Sequence, residues 1–559
     1  MSFLPKFLPL LDTNHIPSLE EVYQLKAQLQ EWDDIIAKVA ADRKALEQVQ
    51  AYLKDQHELC VEYRRRHIAA LEPTQRVPDE ILSTIFIHCL PNSDIQQWPE
   101  HMCIGKDYPA VALSGVCRRW RRVALTTPRL WSYIFVHFER CSRYDTLALS
   151  TKLLQDWTCR SRACPIFVRV EMEGVPAHLS GASLQRWIKE EEGFVEVLVA
   201  SVGRWASLSM SVTELERTSP FLAILQEQPP FLRSVLLDVS FHGEQDTAAI
   251  ANSPLLQTPS LRSCTLARPC GRITQLPARR MGQLTELVIE SLSTKTSVGL
   301  GARDALWLLG QLPRLLRASL YFDDDRQPMS GTIKSVSLSK LESLSLKGFV
   351  IDGRFADLLI LGSLHTLAVS SLKLRNPGWQ KQGIRQFLSY FGQHLQAVEL
   401  DVSELDAETF ITLVDRLPNA ERLKITDFAK RYGSNTICAT MLAGLVPWLL
   451  PSAWLDGPRT SGCHMSGLKE FTVVCRYETR PIAEALVQLV AGRYEHSLFH
   501  DDPSVSGARI HAIEKFEVCF HFRDKDLGED FIETGLRKLN VDFSSLDISI
   551  FQPAESPWY

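Results

Sequence analysis

One short apolar pattern recurs along much of the chain and restricts what it can fold into. Apolar residues spaced as L-x-x-L-x-L begin at Trp205, Leu232, Leu261, Leu284, Leu315, Leu341, Leu364, Leu395, Ala420, Leu468 and Ile513. The first nine segments start 23 to 31 residues apart, and the last two gaps widen to 48 and 45. Leucine-rich repeats, each with one short strand, recur about every 20 to 29 residues. The pattern therefore predicts a stack of repeats.

Helical stretches separate these predicted strands. Residues 304–309 and 407–414 have helical apolar spacing, and Asp406 is placed to cap the second stretch. The expected architecture is an α/β solenoid with parallel strands. It is expected to be irregular, because the Asn or Cys that normally follows each strand is missing. The alternative is an ordinary α/β domain, whose buried parallel strands also form apolar runs. The number of recurrences favours the solenoid.

The N-terminal segment has a different character. Residues 16–71 contain no glycine and no proline after Pro17, so nothing interrupts a helix. With Val22 at position a and Leu25 at position d of a heptad, ten of the fifteen a and d positions are apolar, and the first six are so without exception. This predicts a long helix with a coiled-coil-like seam. The seam leaves two alternatives open, which are packing within the chain and self-association.

Residues 73–136 predict a small helical module. Pro78 is placed to start a helix, with Asp79 and Glu80 in its first turn. A second helix is expected to carry Leu113, Val116, Cys117, Trp120, Val123 and Ala124 on one face and Arg118, Arg119, Arg121 and Arg122 on the other. Residues 133–136 then predict a first strand. A module this short has more apolar surface than it can bury alone, which favours a partner.

The same residues resemble a known family. Val77-Pro78-Asp79-Glu80-Ile81-Leu82, Ile85-Phe86, Val116-Cys117-Arg118-Arg119-Trp120 and Leu130-Trp131 look like the F-box in order and in residue type. The resemblance covers about 60 residues. Val77 stands where the family usually has Leu, and residues 91–109 form a longer loop than the family norm. The long heptad helix and the Thr127-Pro128-Arg129-Leu130-Trp131 ending are similar to F-box proteins abundant in mushroom-forming fungi.

Resemblance to the F-box implies binding to the Skp-type adaptor that links such proteins to a cullin. Carried over by position, it implies that Pro78 starts the first helix and that residues of this helix fill the adaptor groove. These residues are Ile81, Leu82, Ile85 and Phe86. It further implies that Val116, Cys117 and Trp120 support them from the second helix.

The sequence is thus expected to comprise three parts: an N-terminal helix (1–72), an F-box-like adaptor-binding module (73–136) and a leucine-rich-repeat-like region that recognises a target protein (137–559). The expected function is that of a non-catalytic substrate receptor in a cullin-type SCF ubiquitin ligase, without a cofactor or metal. The alternative is a protein-interaction scaffold that degrades nothing.

Other classes of protein are disfavoured. The net charge of −5 is too small to indicate a field for nucleic acid or membrane over the whole chain. The arginines of residues 118–122 suit a solvated helix face, since no stacking aromatics are interleaved. No common nucleophile, phosphate-binding or zinc-protease motif occurs. The histidines at 496 and 500 lack diagnostic ligand spacing. Thirteen scattered cysteines without a C-x-x-C pair indicate reduced thiols, as in the cytoplasm or nucleus, and no apolar run is long enough to span a membrane.

Overall fold

A computed structural model of the chain describes most of its residues. The described residues are 16–71, 76–90, 103–105, 108–139, 144–174, 179–215, 219–241, 250, 252–267, 280–290, 300–322, 334–348, 353–370, 377–403, 405–427, 437, 441–442, 445, 465–477, 480–498, 511–522, 531–539, 541 and 546–551. Most of the long 91–109 loop of the sequence analysis lies outside them, as do His500 and the acidic residues that follow it.

The helices fall into an N-terminal set and a set that alternates with strands. The N-terminal helices are α1 (Leu19–Leu71), α2 (Asp79–His88), α3 (Pro109–Val116) and α4 (Arg118–Thr126). The others are α5 (Tyr144–Arg160), α6 (Ala182–Val199), α7 (Leu222–Leu225), α8 (Ala302–Gly310), α9 (Gly353–Asp357), α10 (Pro377–Phe391), α11 (Ala407–Val414), α12 (Arg480–Leu498) and α13 (Phe531–Lys538). A 3-10 turn, Pro128–Trp131, follows α4.

The strands begin directly after that turn. They are β1 (Tyr133–Phe138), β2 (Ile166–Met172), β3 (Trp205–Leu215), β4 (Ser234–Phe241), β5 (Ser263–Ala267), β6 (Glu286–Glu290), β7 (Arg317–Phe322), β8 (Val336–Ser337), β9 (Ser343–Gly348), β10 (Leu359–Ile360), β11 (Thr366–Ser370), β12 (Ala397–Asp401), β13 (Arg422–Asp427), β14 (Glu470–Tyr477), β15 (Lys515–Phe522) and β16 (Asp547–Phe551). The two-residue strands β8 and β10 pair only with each other.

All the remaining strands form one fourteen-stranded sheet, in which every pairing is parallel. Their spatial order is the order of the sequence, with β7 pairing directly with β9, and β9 with β11. A doubly wound α/β domain would reverse its strand order at a switch point. Sequential order instead means that each repeat stacks on the one before it, so the leucine-rich-repeat-like solenoid is confirmed.

The core consists of alternate residues along each strand. In β9, Leu344 and Leu346 are buried, whereas Ser343, Ser345 and Lys347 are half-exposed. β9 and β11 pair in a parallel register that places Leu344 beside Leu367. Apolar residues are therefore aligned across neighbouring repeats. This continuity explains why the spacing recurs: each repeat covers the apolar face of its neighbour.

Many predicted elements are confirmed. Each of the eleven apolar segments contributes one strand, from β3 through to β15, and β1 begins at Tyr133 as expected. The helix α11 spans the expected residues, and the Asp406 carboxylate accepts a hydrogen bond from the Thr409 amide at 2.7 Å. The N-terminal helix was predicted for residues 16–71 and is observed as Leu19–Leu71.

The expectation of one continuous second helix in the F-box-like module is wrong. The backbone at Cys117 is extended, with φ −156° and ψ 171°, and divides the helix into α3 and α4. The Cys117 sulfur accepts a hydrogen bond from the Trp120 amide at 3.4 Å, so this residue caps the N-terminus of α4. A side chain that satisfies an otherwise unpaired amide stabilises a new helix start.

By internal contacts, the chain divides into two compact units, Met1–Ile85 and Phe86–Tyr559. The first contains α1 and the start of α2, and the second contains the sheet with its helices and the remainder of the F-box-like module. The boundaries at 72/73 and 136/137 are a different kind of division, by motif, and they stay a prediction.

A glycine at the end of β9 gives a test of the stacking. Gly348 has φ +83°, and a Cβ atom there would overlap the carbonyl oxygen of Phe322 on the neighbouring strand. We expect Gly348→Ala to lower the free energy of unfolding by about 2 kcal/mol or more, because a left-handed backbone and a clash combine. Chemical denaturation measures the loss. Gly362→Ala is the control, since its nearest neighbouring atom would be 4.0 Å away; equal losses in the two variants would contradict the expectation.

Candidate functional site

The helix α2 has one buried and one exposed apolar pair. Leu82 and Phe86 are buried, while Ile81 and Ile85 are 53% and 48% exposed. Each pair is spaced i, i+4, so its members lie one turn apart on one side of the helix. Pro78 precedes the helix and is itself exposed, and its carbonyl accepts the amide hydrogen bond of Leu82 at 2.9 Å. The two sides of α2 therefore have different roles. One side packs within the protein, and only the exposed side can contact a partner.

Phe86 packs against an aromatic residue of α4. The ring centroids of Phe86 and Trp120 are 4.9 Å apart and the planes are tilted by 58°. Trp120 is half-buried, and its amide is fixed by the cap at Cys117, which is also half-buried. Aromatic pairs of this geometry add to the stability gained from burial alone. Phe86, Trp120 and Cys117 therefore hold the module's internal structure.

Val116 is the last residue of α3, and 60% of it is exposed. The break at Cys117 directly follows it, so the chain changes direction at this point. Leu113 is half-buried, and Val123 and Ala124 of α4 are buried. Among the predicted site residues of this segment, Val116 is thus the one with most of its surface available to another protein.

An aromatic cluster joins the F-box-like module to the first repeat. The Trp131 indole N–H donates to the Ala124 carbonyl at 2.9 Å, which fixes the 3-10 turn to the end of α4. Its ring makes an edge contact with Trp157 of α5, with centroids 4.8 Å apart. The Arg160 guanidinium lies 4.6 Å from the Trp131 ring centroid, a cation–π distance.

Tyr108 completes this cluster. Its hydroxyl donates to the Leu130 carbonyl at 3.2 Å, and its ring meets Trp157 at 5.8 Å. Burial raises the pKa of the Tyr108 hydroxyl, so it stays protonated and able to donate. Leu130 and Trp131 belong to the F-box-like motif of the sequence, whereas spacing along the chain gives no signal for Tyr108, Trp157 or Arg160.

The sheet presents a second surface, the open face, made of the strand residues that alternate with the core. Ion pairs cross it between strands: Arg317 Nε lies 3.3 Å from Glu286 Oε1, and Lys424 Nζ lies 3.0 Å from Glu399 Oε1. On β15, a hydrogen bond from Lys515 holds the pKa of Glu517 below its ordinary value and raises that of Lys515. The open face is therefore polar, with charges of both signs.

Between these charged strands the open face has small side chains. Ser319, Ser345 and Ala368 occupy one register position on β7, β9 and β11, and all three are half-exposed. Glu399 follows them on β12. The backbone of the sheet is most accessible to another molecule where the sheet's own side chains are short.

The F-box-like module is similar to a known protein family. Residues 74–137 match the F-box-like family model. This F-box-like region includes α2, α3, α4 and β1 almost to its end. No curated protein matches the chain.

Solved structures also match. One is the yeast crystal structure of the Rad7 and Elc1 complex, at 16% sequence identity and a TM-score of 0.36. The match covers 75% of this chain and 92% of that chain. At these values the likeness carries no inference about function or partners.

The part of the chain that the structure describes shows neither a metal site nor a membrane-spanning helix. No described cluster of His, Cys, Asp or Glu side chains could hold a metal ion. None of the described helices combines the length and the apolar character needed to cross a membrane. No disulfide joins the described cysteines. Burial raises the pKa of Cys264 to about 12, which keeps this thiol unreactive.

Proposed function

We propose that this protein is a substrate-receptor subunit of a cullin-type SCF ubiquitin ligase. The observation that carries the proposal is the match of residues 74–137 to the F-box-like family. Under this proposal, the F-box-like region binds a Skp-type adaptor and, through the adaptor, a cullin. The chain itself does no covalent chemistry: it holds a target close to the ubiquitin-loaded enzyme, which raises the effective concentration of the target's lysines.

The exposed apolar residues of the F-box-like region support adaptor binding. Ile81 and Ile85 leave about half of their surface in water, as does Val116, although this module also contains a buried core. Apolar side chains that stay exposed beside a formed core mark a protein-binding surface. In the proposal, Ile81, Ile85 and Val116 contact the adaptor, while Leu82, Phe86, Cys117 and Trp120 hold the module in shape and Pro78 sets the start of α2.

The open face of the sheet is the proposed site for the target protein. Its half-exposed mixture of ion pairs and small side chains resembles an ordinary non-obligate interface in polarity. Glu399, on the strand beside Ala368, and its ion-pair partner Lys424 would then orient the target more than they increase its affinity. This predicts a protein target, whose binding weakens as salt screens these charges.

A binding experiment with purified components tests the proposal. The full chain is mixed with a recombinant Skp-type adaptor and analysed by size-exclusion chromatography, and we expect a stable complex. The complex is then assembled with the cullin and assayed for ubiquitin transfer to proteins that the receptor retains. Failure to bind the adaptor contradicts the proposal, whereas adaptor binding without ubiquitin transfer to any retained protein identifies the chain as a non-degradative scaffold.

Two narrower proposals follow from the sequence. The heptad helix and the Thr127-Pro128-Arg129-Leu130-Trp131 ending support a place among the F-box proteins of mushroom-forming fungi. The scattered cysteines, which lack a C-x-x-C pair, support a reducing compartment, the cytoplasm or the nucleus. Neither is needed for the adaptor-binding proposal.

A further inference from the structure

The helix α1 carries an apolar seam that is exposed over most of residues 22–53, with Val22, Leu25 and Trp32 half-buried. Leu29, Ile36, Val39, Leu46 and Leu53, all at heptad positions a or d, are between 59% and 69% exposed. Most of the stability of a helix in water comes from packing its apolar face. A seam of this kind is the surface of a coiled coil, and the charges beside it determine which partner and which direction it accepts.

The charges disfavour a parallel, in-register pair of α1 helices. In that arrangement each a residue meets its own equivalent, so Arg43 would face Arg43 and Arg64 would face Arg64. A g residue also meets the next e residue of the partner, which would bring Asp42 beside Glu47. Like charges at these positions destabilise the pair.

An antiparallel pair has one register that avoids these conflicts. In antiparallel coiled coils a residues face d residues, and the register that overlaps residues 22–53 of both copies gives five kinds of layer, each occurring twice. They are Val22 with Leu53, Leu29 with Leu46, Ile36 with Val39, Arg43 with Trp32, and Gln50 with Leu25. Three are wholly apolar, and the fourth sets a guanidinium against an indole ring, a favourable cation–π pairing.

The flanking charges also select this register. It places Lys26 of one copy beside Glu47 of the other, an opposite-charge pair that occurs twice. A shift of one heptad that centres the overlap on Ala41 would instead bring Lys26 to Lys54, Asp33 to Glu47, and Asp42 to Asp42, and the opposite shift would bring Asp33 to Asp33. Only like charges meet at those charged positions after either shift, so both are disfavoured.

We propose that the chain forms a two-fold symmetric dimer through an antiparallel coiled coil of residues 22–53 in α1, with the axis beside Ala37 and Lys38. At 1.5 Å per residue the overlap is about 48 Å long, and it uses the part of the helix in which the heptads are regular. Such an interface is self-complementary, because each pair of contacts occurs twice about the axis. A dimer carries two copies of each binding surface.

Sedimentation of the full chain at micromolar concentration tests for the dimer. We expect twice the chain mass of 63.3 kDa. The variant Ile36→Asp/Val39→Asp should sediment as a monomer, because it puts four carboxylates into the central layers. The control Ala37→Asp/Ala41→Asp adds the same charge to the outer side of the same turns and should stay dimeric. A monomeric wild-type chain, or a dimeric seam variant, would overturn the proposal.

A charge reversal tests the direction of the helices. In the antiparallel register Glu47→Lys sets two lysines of different copies together, and we expect the dimer to dissociate roughly tenfold more readily. Lys26→Glu/Glu47→Lys should restore the dimer, although this double variant keeps the loss of the Arg43–Glu47 pair within each helix. In a parallel pair Glu47→Lys would instead relieve the contact with Asp42, so a tighter Glu47→Lys dimer would overturn the antiparallel register.

Discussion

We expect the variant Ile81→Asp/Ile85→Asp to lose binding to the Skp-type adaptor while the chain stays folded. Both side chains are about half-exposed and lie one turn apart on α2, so their replacement removes little of the chain's own packing. An anchor at the centre of an interface contributes about 2 kcal/mol or more, which is roughly 30-fold in Kd. Two anchors replaced by carboxylates should therefore weaken binding by at least about a hundredfold.

Titration calorimetry with the purified adaptor measures this loss, and thermal unfolding checks the fold. Leu149→Asp is the matched control, because it exchanges an exposed apolar residue of α5, outside the F-box-like region, for the same acid. Val116→Asp should weaken binding in the same direction. If wild type, Ile81→Asp/Ile85→Asp and Val116→Asp bound the adaptor with equal affinity, these residues would not belong to the interface.

Substitutions of the buried pair of α2, Leu82 and Phe86, should lower the stability of the fold instead of acting on adaptor binding directly. Leu82→Ala and Phe86→Ala each remove a buried side chain, so we expect them to lower the unfolding temperature. Any effect on adaptor binding would then follow from loss of structure. Aspartate at Leu82 and Phe86 is for this reason a weak test of the interface, since it would disrupt the module whether or not the adaptor binds there.

The sequence alone does not predict which of the two apolar pairs of α2 is buried and which is exposed. Ile81, Leu82, Ile85 and Phe86 are equally apolar, and their spacing shows a broad stripe without showing which part the chain covers itself. For Phe86 the division depends on where α4 places Trp120, and hence on the break at Cys117. Residues 109–126 keep helical spacing throughout, so the break had no clear signal beyond the weak helix former Gly115.

The sheet was predictable for a physical reason. A strand that packs on two neighbours and beneath a helix needs apolar residues at alternate positions, and each repeat meets this need with the same spacing. β2 and β16 were missed because Pro165 and Ser545 stand at the leading position of the pattern, although Ile166, Val168, Val170 and Met172 alternate as buried residues. β8 and β10, two residues each, are too short to carry any periodic signal.

The second large effect is expected at Trp131, which holds the F-box-like region to the first repeat. Trp131→Ala removes the edge contact with Trp157 and the cation–π contact with Arg160, and it leaves the Ala124 carbonyl without its indole donor. Replacing a buried tryptophan by alanine costs about 3 to 5 kcal/mol. The loss should be concentrated in the elements that the cluster joins, α4, β1 and α5.

Hydrogen exchange measured by mass spectrometry locates the effect. In Trp131→Ala the amides of α4 and β1 should exchange faster, while those of β11 to β13 should keep the wild-type rate, because each repeat depends mainly on its neighbours. Trp131→Phe retains an aromatic ring but not the N–H. It should lose about 0.5 to 1.5 kcal/mol, the net contribution of one hydrogen bond, because the Ala124 carbonyl still accepts a hydrogen bond from the Thr127 amide at 3.3 Å. Trp307→Ala is the control, since this exposed tryptophan of α8 is the same residue type outside the cluster. Faster exchange spread evenly over the sheet in Trp131→Ala would show that the cluster stabilises the whole solenoid instead of the junction.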